Sequence, residues 1–222
     1  MSKQRTTIRA LVFAASVGAA VPAMATAGDL RDINVGMAIS SVPDAGYINL
    51  TCAGEKTAHR LAEWAQWSNC PEGPDQLRGI RFEYDRETAR EGTMVGGHPA
   101  ILTVMIDKDA RIAALTIETD PKARLYLRKK AFLLGLQAKS RYGEDGWTCS
   151  EAKPGADKQE VGGVFVDEKC TKTTDGRTVE IERHLYREPN KELKDMTDES
   201  MIRKNLKRFS EKFMLKQGAK AR

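Results

Sequence analysis

The sequence predicts an α+β fold: antiparallel strands in two groups, each group followed by a helix and each stapled by a disulfide. Three observations carry that expectation. Strand patterns recur at 80–85, 101–106, 111–118, 164–173 and 178–187. Helical spacing begins at Asp120-Pro121 and again at Thr197. Four cysteines fall as two local pairs, one in each half of the chain.

The chain before these elements is of another kind. Residues 1–27 carry Lys3, Arg5 and Arg9, then an apolar run to about Met24, then Ala25-Thr26-Ala27. This is the layout of a secretory signal peptide, with cleavage expected before Gly28. A retained membrane anchor needs about 20 uninterrupted apolar residues, whereas Ser16, Gly18 and Pro22 interrupt this run. The expected product is an exported, periplasmic chain starting at 28. With 41% apolar and 30% charged residues, it belongs to neither the disordered nor the collagen-like composition class.

Elements follow in order along that chain. Residues 28–43 read as a short strand or turn followed by one helical turn, and Tyr47 to Cys52 as a strand. Leu61, Trp64, Trp67 and Cys70 recur every three residues, a 3₁₀-like spacing that places two tryptophans together. A satellite core is the expected role of that pair, ahead of a ligand platform. Ile80, Phe82 and Tyr84 alternate with Arg81, Glu83 and Asp85, the pattern of a half-covered strand. Residues 101–106 are apolar on both faces, which places them centrally in a sheet, and Asp107-Lys108-Asp109-Ala110 reads as a hairpin turn rather than a calcium loop.

Asp120-Pro121 has the chemistry of a helix start, and the helix is expected to run to Tyr142 and stop at Gly143. Leu127, Ala131, Leu134 and Ala138 would form its core stripe. Trp147 and Cys149 open another strand. Asp175-Gly176 then favours a two-residue type I′ hairpin turn, which would set Cys170 opposite Ile181. From Thr197, the spacing of Ile202, Leu206, Phe209 and Phe213 predicts a final helix. The domain expected is 28–202, with two similar halves, 28–143 and 144–202, suggested by element order alone. Residues 203–222 would form a basic helix and tail.

Four cysteines allow three connectivities. The local pairing, Cys52 with Cys70 and Cys149 with Cys170, is expected in an oxidising compartment. No C-x-x-C and no zinc-ligand spacing accompanies them.

Charge narrows the function classes. The whole chain has 36 basic and 31 acidic residues, but residues 1–27 hold three of the cations and no acid. Residues 203–222 hold eight more cations against the single acid Glu211, so the intervening body is mildly acidic. That distribution gives no nucleic-acid footprint. The basic terminal segment would either dock on the core or lie on an anionic membrane or an acidic partner.

His59, His98 and His184 stand apart, and no metalloprotease, nucleophile-elbow, Walker or dinucleotide motif is present. His98, in Gly96-Gly97-His98-Pro99, is expected in a turn. Three i, i+2 acidic pairs, Glu83 with Asp85, Glu118 with Asp120 and Glu180 with Glu182, each project from one strand face, and would hold a hard cation if neighbouring strands bring them together. An ordinary solvent face is the simpler expectation. The sequence thus points to an exported binding or accessory protein of unknown ligand or periplasmic partner, with no cofactor. A carrier of calcium or a lanthanide, and a hydrolase with a non-local site, are the alternatives.

Overall fold

Nine strands, every pairing antiparallel, dominate the computed structural model, which describes residues 29–54, 59–73 and 76–208. The expected signal peptide, Phe209 and Phe213 lie outside those residues. The strands are β1 (Tyr47–Cys52), β2 (Arg78–Tyr84), β3 (Met94–Val95), β4 (His98–Ile106), β5 (Ile112–Thr119), β6 (Thr148–Glu151), β7 (Val166–Thr174), β8 (Arg177–Tyr186) and β9 (Thr197–Leu206). They form one sheet in the order β1-β2-β4-β5-β9-β8-β7-β6, with β3 attached to β4. Each half of the chain is therefore a four-stranded meander in chain order, and the last strands of the two meanders, β5 and β9, pair at the centre. Both disulfides form as the spacing suggested, Cys52–Cys70 and Cys149–Cys170.

The hairpins follow from their turn residues. Asp107 Oδ1 accepts the amides of Asp109 and Arg111, both at 3.0 Å, and Ala110 takes φ 55°, which closes β4 onto β5. Asp175 (φ 48°) and Gly176 (φ 68°) close β7 onto β8, and Cys170 lies opposite Ile181 as that turn requires. A hairpin not anticipated from sequence joins β3 to β4 through Gly96 and Gly97, both at positive φ.

One sheet face carries the core. Ile80, Phe82, Leu102, Val104, Leu115, Ile117, Ile181 and Ile202 alternate inward and are buried. The segment 30–42 and a 3₁₀ helix, Trp64–Asn69, cover this face in the first half. Trp64 is buried edge-on against Tyr47 and Phe82, at centroid distances of 5.6 and 5.2 Å, so the tryptophan pair serves the core. In the second half, Gly135 brings a helix close: a Cβ there would sit 2.5 Å from the Arg183 side chain and 2.8 Å from Ile181.

Two expectations are corrected. The helix expected over 120–142 is bent into α1 (Leu125–Arg128) and α2 (Leu133–Arg141), with Lys130 at φ 64° between them. Asp120 caps only a turn, accepting the Lys122 amide at 2.9 Å. The bend has a partner remote in sequence: the Asp198 carboxylate accepts the amides of Lys130 (2.8 Å) and Phe132 (3.0 Å), holding them out of a continuous helical ladder. Gly143 (φ 88°) still ends α2, and the Lys172 ammonium donates to the carbonyls of Tyr142 and Gly143.

The second correction concerns the final helix. Residues 197–206 form strand β9, hydrogen-bonded to β5 on one side and β8 on the other. Pairing on both edges overrides the spacing of Ile202 and Leu206. The second strand group is thus not followed by the helix expected at 197, and Arg203 and Lys204 belong to the sheet rather than to a basic helix. The fold is β-rich with one bent helix. Among the described residues no helix is long and apolar enough to cross a membrane.

Candidate functional site

The sheet face away from α2 and Trp64 carries polar side chains at its centre. Strand pairing places Arg81 (β2), Thr103 (β4), Thr116 (β5), Arg203 (β9), Glu180 (β8) and Thr171 (β7) in one row across the sheet. A neighbouring row runs Ile101, Glu118, Met201, Glu182 and Lys169. Between them lies an open groove of about 500 Å³, lined on this face by Arg81, Glu118, Glu182, His184, Glu199 and Arg203, with Ile101 and Met201 as its apolar floor.

The charges are interleaved. Lys169 pairs with Glu182 at 2.8 Å, and the Arg203 guanidinium lies 3.7 Å from the buried Glu180 carboxylate. His184 Nδ1 lies 3.0 Å from Asp167 Oδ1, and Lys158 donates to the other oxygen of that carboxylate at 2.5 Å. Burial pushes the Asp167 carboxyl up, but Lys158 and His184 outweigh it and hold it below the usual carboxylate range. The same pairing raises Lys158. The imidazole is thereby fixed in orientation on the groove wall.

Of the acidic pairs singled out in the sequence, Glu118 and Glu182 share the groove but stand two strands apart, about 10 Å by the spacing of paired strands. Met201 lies between them. Glu180 is turned to Arg203, Glu83 accepts from Asn49 at 3.1 Å, and Asp85 and Asp120 close turns. Glu199, the groove's third carboxylate, was missed in the sequence because residues 197–206 read as helical. Among the described residues, the only three potential metal-ligand groups within 4.8 Å of one another are Cys149, Glu168 and Cys170, and the two cysteines are committed to a disulfide.

The histidines are placed separately. His59 is exposed, and His184 lines the groove. His98 is not a turn residue: it opens β4, is buried, and its pKa is lowered by that burial, with the Asp198 charge opposing. The Ser200 and Thr119 hydroxyls, both at the groove lining, are hydrogen-bonded to the backbone. Ser200 Oγ donates to Ala131 O (3.0 Å) and accepts from the Gly135 amide (3.2 Å), and Thr119 Oγ1 accepts from the Ser200 amide.

The helix-covered side holds a buried ion cluster next to the second disulfide. Glu168 accepts from Lys139 (2.6 Å) and from Arg183 Nε (2.5 Å). Burial raises the Glu168 carboxyl, and these two cations more than reverse the effect. Beside Tyr142, at the C-terminal end of α2, Asp29 accepts the Val35 amide and pairs with Lys204.

Comparison with protein-family models finds no match, and none is found among curated proteins or solved structures.

Proposed function

We propose that this is an exported binding or accessory protein that engages its ligand on the open face of the sheet. One observation carries the reading: a broad groove at the centre of a nine-stranded sheet, whose charged side chains project from paired strands and need no loop rearrangement to be presented. Both signs of charge line it within one surface, which favours a ligand bearing both, such as a polypeptide segment or a zwitterionic small molecule. Two disulfides suit an oxidising, extracytoplasmic compartment.

The alternatives have less behind them. A hydrolase needs a nucleophile beside His184, and the Ser200 and Thr119 hydroxyls are hydrogen-bonded away from it. A carrier of calcium or a lanthanide has Glu118, Glu182 and Glu199 on one groove, with Arg81 and Arg203 among them. Calorimetric titration with calcium and a lanthanide tests it directly.

The decisive experiment compares material co-purifying with the wild-type protein and with the charge-reversed pair Arg81→Glu/Glu118→Arg, each expressed with its export segment. The reversal should deplete the bound species at unchanged thermal stability. Recovery of the same species in equal amount refutes the sheet face as the binding site.

A further inference from the structure

A second surface, remote in function from the groove, is apolar and cationic at once. Among the described residues, six large hydrophobic side chains are conspicuously exposed, and four of them are Leu125 (54%), Tyr126 (60%), Leu127 (40%) and Leu193 (60%). Three form α1, and the fourth opens a 3₁₀ turn, Leu193–Asp195. Between these elements lies an apolar groove of about 310 Å³, where Leu125, Leu193 and Met196 meet the cations Arg128, Lys129 and Lys194.

The bend described above creates this surface. Asp198 holds the Lys130 and Phe132 amides, so α1 departs from the line of α2 and its leucines are not drawn onto the core. Had residues 120–142 formed one continuous helix, Leu127 would have joined the stripe of Ala131, Leu134 and Ala138, all of which are buried. Cations crowd the same stretch: Lys122, Arg124, Lys129 and Lys130 are exposed, and residues 121–143 contain no acid. The acids on this face are outnumbered by its cations: Asp198 is held on backbone amides, Glu192 pairs with Lys194, and Asp195 is exposed on the 3₁₀ turn.

We infer that α1 and the Leu193 turn form a docking face for a bilayer containing anionic phospholipid, the leucines and Tyr126 entering the headgroup boundary while the lysines and arginines meet lipid phosphates. Charge complementarity selects the partner: an exposed Leu-Tyr-Leu segment flanked by Lys122, Arg124, Lys129 and Lys130, in a stretch without acids, suits an anionic, apolar-backed surface. Tyr126 has the amphipathic ring favoured at the membrane interface. The attachment is peripheral, and it leaves the sheet-face groove to its own ligand.

The test is flotation of the full exported protein with vesicles of phosphatidylcholine, with and without phosphatidylglycerol. The wild type should float only with phosphatidylglycerol present, and less at high salt. Lys122→Glu/Lys129→Glu should bind about thirtyfold more weakly or worse, and Leu125→Ser/Leu193→Ser about tenfold, both with unchanged thermal unfolding because these side chains are exposed. Equal flotation with neutral vesicles, absence of flotation, or wild-type binding by either variant overturns the inference. Capture by polyglutamate without vesicle binding also overturns it, in favour of an acidic protein partner.

Discussion

Replacing Glu168 with Gln isolates what the buried ion cluster contributes. The Glu168 side chain is 5% exposed, and its partners Lys139 and Arg183 are 18% and 11% exposed. Glutamine keeps the shape and removes the charge, leaving two largely buried cations without an anion. Breaking a buried pair in this way costs about 3–5 kcal/mol. For a domain of this size each kcal/mol moves the melting temperature by about 2–4 °C, so the midpoint should fall by about 6–20 °C. Thermal unfolding followed by circular dichroism at neutral pH, with both disulfides intact, reads the change. A companion variant, Lys139→Met/Glu168→Leu/Arg183→Met, removes all three charges and keeps apolar stems, including that of residue 183 beside Gly135; it should recover most of the loss. A Glu168→Gln midpoint equivalent to less than about 1 kcal/mol of destabilisation refutes the reasoning, as does a triple variant as unstable as the single one.

Further outcomes follow from the same structure. Removing Cys149–Cys170 or Cys52–Cys70 by paired alanine substitution should each cost about 3 kcal/mol in urea unfolding, given loops of 21 and 18 residues, and the two losses should add because the bridges lie in different halves. Asp198→Ala should cost about 1–2 kcal/mol and speed amide exchange at Lys130 and Phe132; protection unchanged at both amides would remove Asp198 as the cause of the bend. His98 has its folded pKa lowered below 6.5 by burial, so its contribution is intact above 6.5 and is lost as pH falls from there towards the folded value. Glu168 and Asp167, also lowered, keep their contributions above about 4.5 and 3.8 and lose them in stronger acid, while Asp198, raised by burial, gives the opposite trend. The urea midpoint of the wild type should therefore drop just below pH 6.5, and His98→Gln should flatten that step; an unchanged step assigns it to another group.

Much of the fold was legible where local chemistry and tertiary demand agree. Asp175-Gly176 fixed a hairpin register down to Cys170 opposite Ile181, and the cysteine spacing fixed both bridges, because each depends on neighbours within about 20 residues. The stretch after Thr197 was not legible: Ile202 and Leu206 suit either a helix face or one side of a strand, and the choice is made by β5 and β8, remote in sequence. The bend at Lys130 was hidden for the same reason, since its cause, Asp198, lies 68 residues away. Of the groove, Glu118, Glu182, His184 and Arg81 were visible as residues on strand faces. Their assembly was not, because nothing local says that β9 passes between β5 and β8.

The central pairing of β5 with β9 has a consequence for how the molecule is made. Thr116 meets Arg203 across that seam, so the first meander waits for nearly the whole chain before its inner edge is covered. Until then β5 presents unpaired backbone groups along an apolar strand, an invitation to pair with another copy. Each disulfide can close early within its own half, but the seam is a late, long-range contact that slows folding. As the chain is made from its N-terminus, the vulnerable edge of β5 is complete well before β9, the strand that protects it.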